Sequence, residues 1–303
     1  GSAGRVWQGT YQGHDVAVKV LHPHFAEQLE LDLQLAFTVA RCVHTIPPLR
    51  MLNAPRVVET LAQTLRPQAD LRHEAQHLET FKSHFDGGQV WFPRVFQSTR
   101  TVLVEELVQA AVPIRHYLES PNIAVRKELG SLLCRTFFQM VFWDNFVHGD
   151  MHPGNILVVQ QAKPPSMWDT LTGTIPTSTI PRICLLDAGI AVQLRPNDQR
   201  NLLDLFRAVV TNQGTAAGRL MVERAQYERA SATPGGVEAF AHGIGDIVQE
   251  FHSQKSLTFG KLRVGSLLQR VLDLCRVHGV EIDPNMSSIV VSVLVLEGLA
   301  RSL

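Results

Sequence analysis

Residues 146–158, FVHGDMHPGNILV, set two His, one Asp and one Asn between two apolar flanks. A half-buried strand alternates its side chains between two faces, and this stretch breaks that alternation within eight residues. The pattern predicts a loop anchored at both ends by buried segments, which holds its polar groups at fixed positions. Loops held this way tend to carry function. Asp150 and Asn155 stand five residues apart on it, and their oxygens suit a hydroxyl nucleophile and a hard cation respectively. Asp187 follows in LLDAG, thirty-two residues after Asn155, at the end of a second apolar run. Two oxygen ligands on neighbouring strand ends suit Mg²⁺, which keeps several waters and shares phosphate oxygens.

The elements needed to bury those flanks can be read upstream and downstream. GRVWQGTYQGHDVAVKVLHP alternates around a Gly-bearing turn and predicts a hairpin, with Val16, Val18 and Val20 on one face and Ala17 and Lys19 on the other. A lysine inside such a strand is costly without a partner, and Glu74, in DLRHEAQHLETF, is the candidate partner. Helical periodicity covers about 25–44, where Pro47-Pro48 ends it, then about 54–65, where Pro67 follows, and 70–85, which stops at Asp86-Gly87-Gly88. Strands are expected over 90–99 and 100–108, and one buried helix over 125–146. The Pro/Thr/Ser-rich stretch 160–182 reads as a surface loop between two strands, and amphipathic helices follow Pro196. The fold class expected is α+β: a small β-rich lobe with inserted helices, then a larger helical lobe, with a cleft between them.

Lys plus Arg equals Asp plus Glu at 28 each, so no bulk charge favours nucleic acid as a partner. Cys42, Cys134, Cys184 and Cys275 have no CxxC spacing, which argues against a zinc ribbon or a disulfide framework. The apolar run SSIVVSVLVLEGLA is too short to span a membrane, and no signal or transit segment is expected in the stretch that opens at Gly1.

Taken in order, Gly1-Ser2-Ala3-Gly4-Arg5-Val6 before a strand, VAVK, a helix Glu, HGDxHPGN and DxG match the protein-kinase set. The segments VAVKVLHP, DLRHEAQHLETF, HGDMHPGNILV and LLDAGIAVQLRPNDQRNLLDLF resemble the aarF/UbiB atypical kinases over nearly the whole chain. The resemblance implies a two-lobed protein-kinase-like fold, with residues 1–107 as N-lobe, a helical insertion at about 25–66, and 108–303 as C-lobe. It implies a catalytic loop at 148–155 and a magnesium motif at 187–189. By position, Lys19 resembles the lysine that holds the nucleotide phosphates, and Glu74 its helix partner. Asp150 resembles the catalytic Asp that orients or deprotonates an acceptor hydroxyl, and Asn155 and Asp187 the Mg²⁺ ligands. Gly1, Ser2, Ala3, Gly4, Val6, Ala17, Glu105 and Leu107 are then expected to line ATP. His148 is expected to prop the loop; His152, where ordinary kinases carry a lysine, stays open between a phosphate contact and a structural role.

The chain also departs from the pattern. Ala188 stands where a Phe usually packs under the Glu74 helix, Gly1 and Gly4 replace an Ala-rich loop, and Gln68 replaces an acidic residue six positions before Glu74. The family's N-terminal Lys-x-Gly-Gln extension is not in this stretch. No Ala-Pro-Glu segment follows Gly189, which argues against a peptide substrate. The resemblance thus implies a mitochondrial Mg-ATP-dependent kinase or ATPase connected with coenzyme Q (ubiquinone) biosynthesis. Its acceptor could be a small molecule, a lipid precursor or water, and its partners a membrane surface or coenzyme Q biosynthesis proteins. A nucleotide-sensing pseudokinase scaffold, or a small-molecule phosphotransferase outside quinone metabolism, are the competing readings.

Overall fold

The N-terminal hairpin is built on a two-residue turn. Gln12 and Gly13 both take positive φ (50° and 79°), the backbone hand that matches strand twist in tight hairpins. It joins β1 (Gly4–Tyr11) to β2 (His14–Leu21) with Tyr11 opposite His14. The computed structural model of this chain describes residues 3–46, 54–85, 87–162, 179–225, 227–253 and 264–281, with isolated positions between 289 and 303. By chain contacts these fall into two compact units, Gly1–Ile114 with Gly154–Ala191, and Arg115–Pro153 with Val192–Leu303.

In the first unit, α1 (Phe25–Thr45) and α2 (Ala54–Leu65) form the inserted helices, with boundaries close to those the prolines predicted. A two-pronged Arg66–Glu30 contact at 2.9 and 3.2 Å links the end of α2 back to α1. Helix α3 (Leu71–His84) starts at Asp70, whose carboxylate accepts from the Arg72 N–H at 3.0 Å and satisfies one of the first-turn amides. Its buried face is Leu71, Glu74, Ala75, Leu78 and Phe81; the Phe81 ring stacks on Phe92 at 4.7 Å between centroids. One carboxylate thus sits on an otherwise apolar stripe.

The single strand expected over 90–99 is two strands in two different sheets. β3 (Val90–Trp91) and β4 (Val95–Ser98) are separated at Phe92-Pro93-Arg94, because Pro93 has no N–H to donate to a continuing ladder. β4 joins β5 (Val102–Glu106) in a four-stranded antiparallel sheet of order β1-β2-β5-β4. The second sheet contains β6 (Val112–Pro113) and the ladder expected on either side of the Pro/Thr/Ser-rich stretch. Strands β8 (Ile156–Ala162) and β9 (Thr179–Leu185) pair antiparallel over seven positions, and the order is β3-β9-β8-β6. The stretch between them, 163–178, lies outside the described residues. Because β8 and β9 share a sheet with β3 and β6, residues 154–191 associate with the N-terminal part of the chain.

The second unit opens with α4 (Arg115–Leu118) and α5 (Ile123–Phe138), the latter capped by Asn122, which accepts from the Val125 N–H at 3.3 Å. The helix expected to run to 146 stops at 138. A wider π turn, Gln139–Trp143, follows and leaves the Trp143 ring 78% exposed rather than buried. β7 (Val147–His148) leads into the loop, and β10 (Ala191–Val192) into helices α6 (Pro196–Val210), α7 (Gly214–Arg224), α8 (Gly236–Ser253) and α9 (Val264–His278). Ala217, Phe240, Ile244, Val248 and Cys275 form their core. Among the described residues no helix is long and apolar enough to cross a membrane.

Candidate active site

The β2–β5 register decides which side chains meet. Ala17 lies opposite Glu105 and Lys19 opposite Leu103, so these four side chains leave the sheet on one face. Helix α3 delivers Glu74 to that face. Lys19 Nζ donates to both Glu74 oxygens at 2.7 and 2.8 Å and to Asp187 Oδ1 at 3.1 Å. The strand lysine therefore has the partner its position demanded, plus a second carboxylate. Two of the residues singled out, Glu74 and Asp187, thus meet at the ammonium group of a third, Lys19.

The charge balance on this face is unusual. Burial works to lower the Lys19 pKa, but the Glu74 and Asp187 carboxylates outweigh it and hold it above the ordinary lysine value. Burial raises the Glu74 pKa; Lys19 opposes the rise and Asp187 adds to it. Glu105 is pushed up to about 8, first by burial and then by the Glu74 carboxylate, with Lys19 again opposing. Its Oε2 is buried and has no hydrogen-bond partner among the described residues. Three carboxylates therefore share one lysine.

The metal candidates sit at the ends of the β8–β9 ladder. Ile156 pairs with Leu185, and the next step outward is a bond from the Leu186 N–H to the Asn155 carbonyl at 2.8 Å. That bond fixes Asn155 and Asp187 on neighbouring chain ends. Asn155 is buried at 9% exposure, whereas the Asp187 side chain is 41% exposed. Asp187 has φ 53°, a left-handed conformation that aspartate tolerates better than most residues but that costs free energy and recurs at functional sites. Two residues on, Gly189 leaves room for that carboxylate: a Cβ there would stand 3.2 Å from Asp187 Oδ1, close enough to push it aside by a few tenths of an ångström, and 3.7 Å from Glu74 Oε2. Among the described residues no group of three or more His, Cys, Asp or Glu is arranged to hold a metal ion. One carboxylate with one amide oxygen fits a cation that keeps most of its water shell, as Mg²⁺ does.

Asp150 belongs to the second unit. Its N–H donates to His148 Nδ1 at 3.2 Å, so that nitrogen is the acceptor and the His148 proton sits on Nε2. The His148 ring is fully buried, in keeping with a prop for the loop. His152 Nε2 lies 3.7 Å from Asp150 Oδ2, with both side chains about half exposed.

The remaining expected nucleotide contacts are of mixed character. Gly1 and Ser2 lie outside the described residues. The Ala3 carbonyl accepts from the His22 N–H at 3.0 Å, and the Leu107 N–H is used by the Asp15 carbonyl at 3.2 Å. Val6 is exposed and Ala17 buried. Gly4 has a packing reason to be glycine: a Cβ would stand 2.4 Å from the Val20 carbonyl oxygen across the hairpin. Sequence reasoning missed His77. Its Nδ1 lies 2.8 Å from the Ala188 carbonyl oxygen, so the ring donates there, and burial first, then His73, keeps its pKa below the ordinary histidine value despite that bond. The available signal was spacing, since His77 follows Glu74 by three positions on one helix and so shares its face.

A family model described as the ABC1 atypical kinase-like domain matches residues 1–221. A mitochondrial ABC1 family protein of Schizosaccharomyces pombe is 32% identical, over 95% of this chain and 45% of its own length. Another of Saccharomyces cerevisiae is 29% identical, over 95% and 48%. A probable protein kinase UbiB of Aliivibrio fischeri is 26% identical, over 96% and 50%. The chain thus spans about half the length of the curated relatives it matches. The two fungal relatives carry "mitochondrial" in their names, which agrees with the location expected from the resemblance. Among solved structures, the Mycobacterium tuberculosis protein Rv3197, determined with erythromycin, superposes with a TM-score of 0.60 at 18% identity, over all of this chain and 71% of that one. That likeness concerns the fold, which is the expected α+β kinase-like class.

Proposed function

The chain belongs to the ABC1 atypical kinase-like family, and from that premise we propose that it binds Mg-ATP and acts as a phosphotransferase or ATPase in mitochondria, in support of ubiquinone biosynthesis. One observation carries the reading: Lys19 Nζ is held within 3.1 Å of both Glu74 and Asp187. Phosphoryl transfer needs positioning and charge neutralisation more than covalent help. Lys19 is a fixed cation for phosphate oxygens, and Glu74 keeps it extended. Asp187 and Asn155 supply a carboxylate and an amide oxygen for a divalent cation. Bound Mg²⁺ would neutralise the charge that develops on the transferred group. Asp150, five residues before Asn155 in the chain, orients the acceptor hydroxyl and takes its proton. Gly1 through Gly4, Val6, Ala17, Glu105 and Leu107 complete the nucleotide-lining set of this reading.

The link to ubiquinone is what the resemblance to the aarF/UbiB kinases implies, and in this reading the acceptor is a small molecule, a lipid precursor or water. Substituting Asp187→Asn removes the charged cation ligand. It is expected to abolish the Mg²⁺-dependent part of ATP binding, measured by calorimetry with and without chelator. Unchanged Mg-ATP binding in that variant would overturn the assignment. ADP release, measured with and without membranes and quinone precursors, separates turnover from a scaffold that binds without reacting.

A further inference from the structure

Position 188 raises a mechanical question. Helix α3 carries Glu74, and the 187–189 turn carries Asp187, so the two must keep a fixed spacing for Lys19 to bridge them at 2.7 and 3.1 Å. Ala188 is fully buried, but its methyl group is too short to interlock with the helix as a large side chain would. The backbone on either side needs support. Asp187 is in the left-handed region, and such conformations persist only where the surroundings over-determine them.

The support comes from the helix. His77 lies three residues after Glu74, on the same face of α3, and its Nδ1–H donates to the Ala188 carbonyl at 2.8 Å. That carbonyl belongs to the peptide unit joining Ala188 to Gly189, one step beyond the strained Asp187. The turn is therefore held at two places, at the Asp187 side chain through Lys19 of β2, which Glu74 anchors, and at the main chain through His77 of α3. A bond to the main chain does not depend on which side chain stands at 188.

We propose that His77 is a positioning residue that latches the Asp187 turn to the Glu74 helix by a hydrogen bond, in place of side-chain packing at position 188. Its consequence for cation binding rests on the phosphotransferase reading; the latch itself does not. A latch of this kind holds one turn geometry, so the Asp187 carboxylate stays aimed at Lys19 rather than alternating between two loop positions.

Two variants of the full chain test it. His77→Leu keeps volume and helix propensity but removes the donor, and His77→Asn keeps an N–H close to the place of Nδ1. The first readout is hydrogen–deuterium exchange of the nucleotide-free protein, in peptides spanning 184–194. His77→Leu is expected to speed exchange there about tenfold or more, with a thermal midpoint within a few degrees of the parent, and His77→Asn to restore most of the protection. The second readout is calorimetric ADP binding with Mg²⁺ and with chelator. His77→Leu is expected to weaken the Mg²⁺-dependent binding about tenfold, to leave chelated binding nearly unchanged, and to be rescued by Asn. Parental exchange in His77→Leu, or equal damage in the Leu and Asn variants, overturns the latch. Equal losses with and without Mg²⁺ overturn its positioning role. If the parent chain itself binds no Mg-ADP, the phosphotransferase reading fails, and the exchange data still decide the latch.

Discussion

Glu105 offers the sharpest test of the electrostatics on the Lys19 face. Its carboxyl is buried, lacks a partner for Oε2 among the described residues, and faces the Glu74 and Asp187 carboxylates with Lys19 as the shared cation. In the unfolded chain the group releases its proton near the ordinary value of 4.5, whereas the native state holds the proton up to about pH 8. Between those values the native state binds more protons, so stability falls as pH rises and the full penalty is reached above about pH 8. At about 1.4 kcal/mol for each pKa unit, the rise from 4.5 to about 8 sets a ceiling of roughly 5 kcal/mol. Water entry and relaxation around a newly formed charge reduce such penalties, so roughly 2–4 kcal/mol is expected. Glu105→Gln has no proton to lose and nearly the same shape. Urea unfolding of both chains without nucleotide, from about pH 5 to about pH 8.5, gives the difference in stability directly. The variant should match the parent at the acid end and exceed it progressively toward pH 8.5. Glu74 is retained in both chains, so its own pH dependence largely cancels. A difference that stays flat across the range would refute the claim that burial keeps Glu105 protonated.

Three further substitutions probe the surroundings of Lys19 and Asp187. Lys19→Met leaves Glu74 buried beside two other carboxylates, and should cost roughly 1–3 kcal/mol near neutral pH, limited by Glu74 taking up a proton. The Glu74 pKa is already raised, so the loss should deepen as pH rises, and a second change, Glu74→Gln, should recover part of it in urea unfolding. Gly189→Ala places a methyl 3.2 Å from Asp187 Oδ1, forcing that carboxylate aside by a few tenths of an ångström. Mg²⁺-dependent nucleotide binding should weaken several-fold while the thermal midpoint barely moves, and unimpaired binding would mean that the carboxylate position is not critical.

Much of the first unit was legible because its punctuation is local. Pro47-Pro48 and Pro67 bound the inserted helices, Asp70 caps α3, and Gln12-Gly13 makes the hairpin turn. The Lys19–Glu74 pair could be anticipated for an energetic reason, since a lysine in a strand needs a counter-charge and the helix glutamate was the candidate for it. The misreadings have separate causes. The 90–99 stretch alternates acceptably as one strand, but the missing N–H of Pro93 sends its halves to different sheets. The 125–146 run is apolar enough for one helix, and nothing in its composition announces the π turn at Gln139–Trp143. His77 and the protonation of Glu105 were out of reach because both depend on which face of one element lies against another. Gly4 was expected to line ATP because the resemblance implies it, yet the Val20 carbonyl gives it a second reason to be glycine.

The β8–β9 ladder separates two properties that the sequence runs together. Asn155 and Asp187 are thirty-two residues apart in the chain, but their spacing in the folded protein is set at the near end of the ladder, by the Ile156–Leu185 pair and the Leu186–Asn155 bond. The chain between 162 and 179 departs from the far end, seven pairs and roughly 20 Å away. The spacing of the two oxygen ligands is therefore held by these pairs rather than by the length of chain that joins the strands. For an engineer, Asn155, Ile156, Leu185 and Leu186 are the positions to leave alone, because their pairing holds the two ligands side by side.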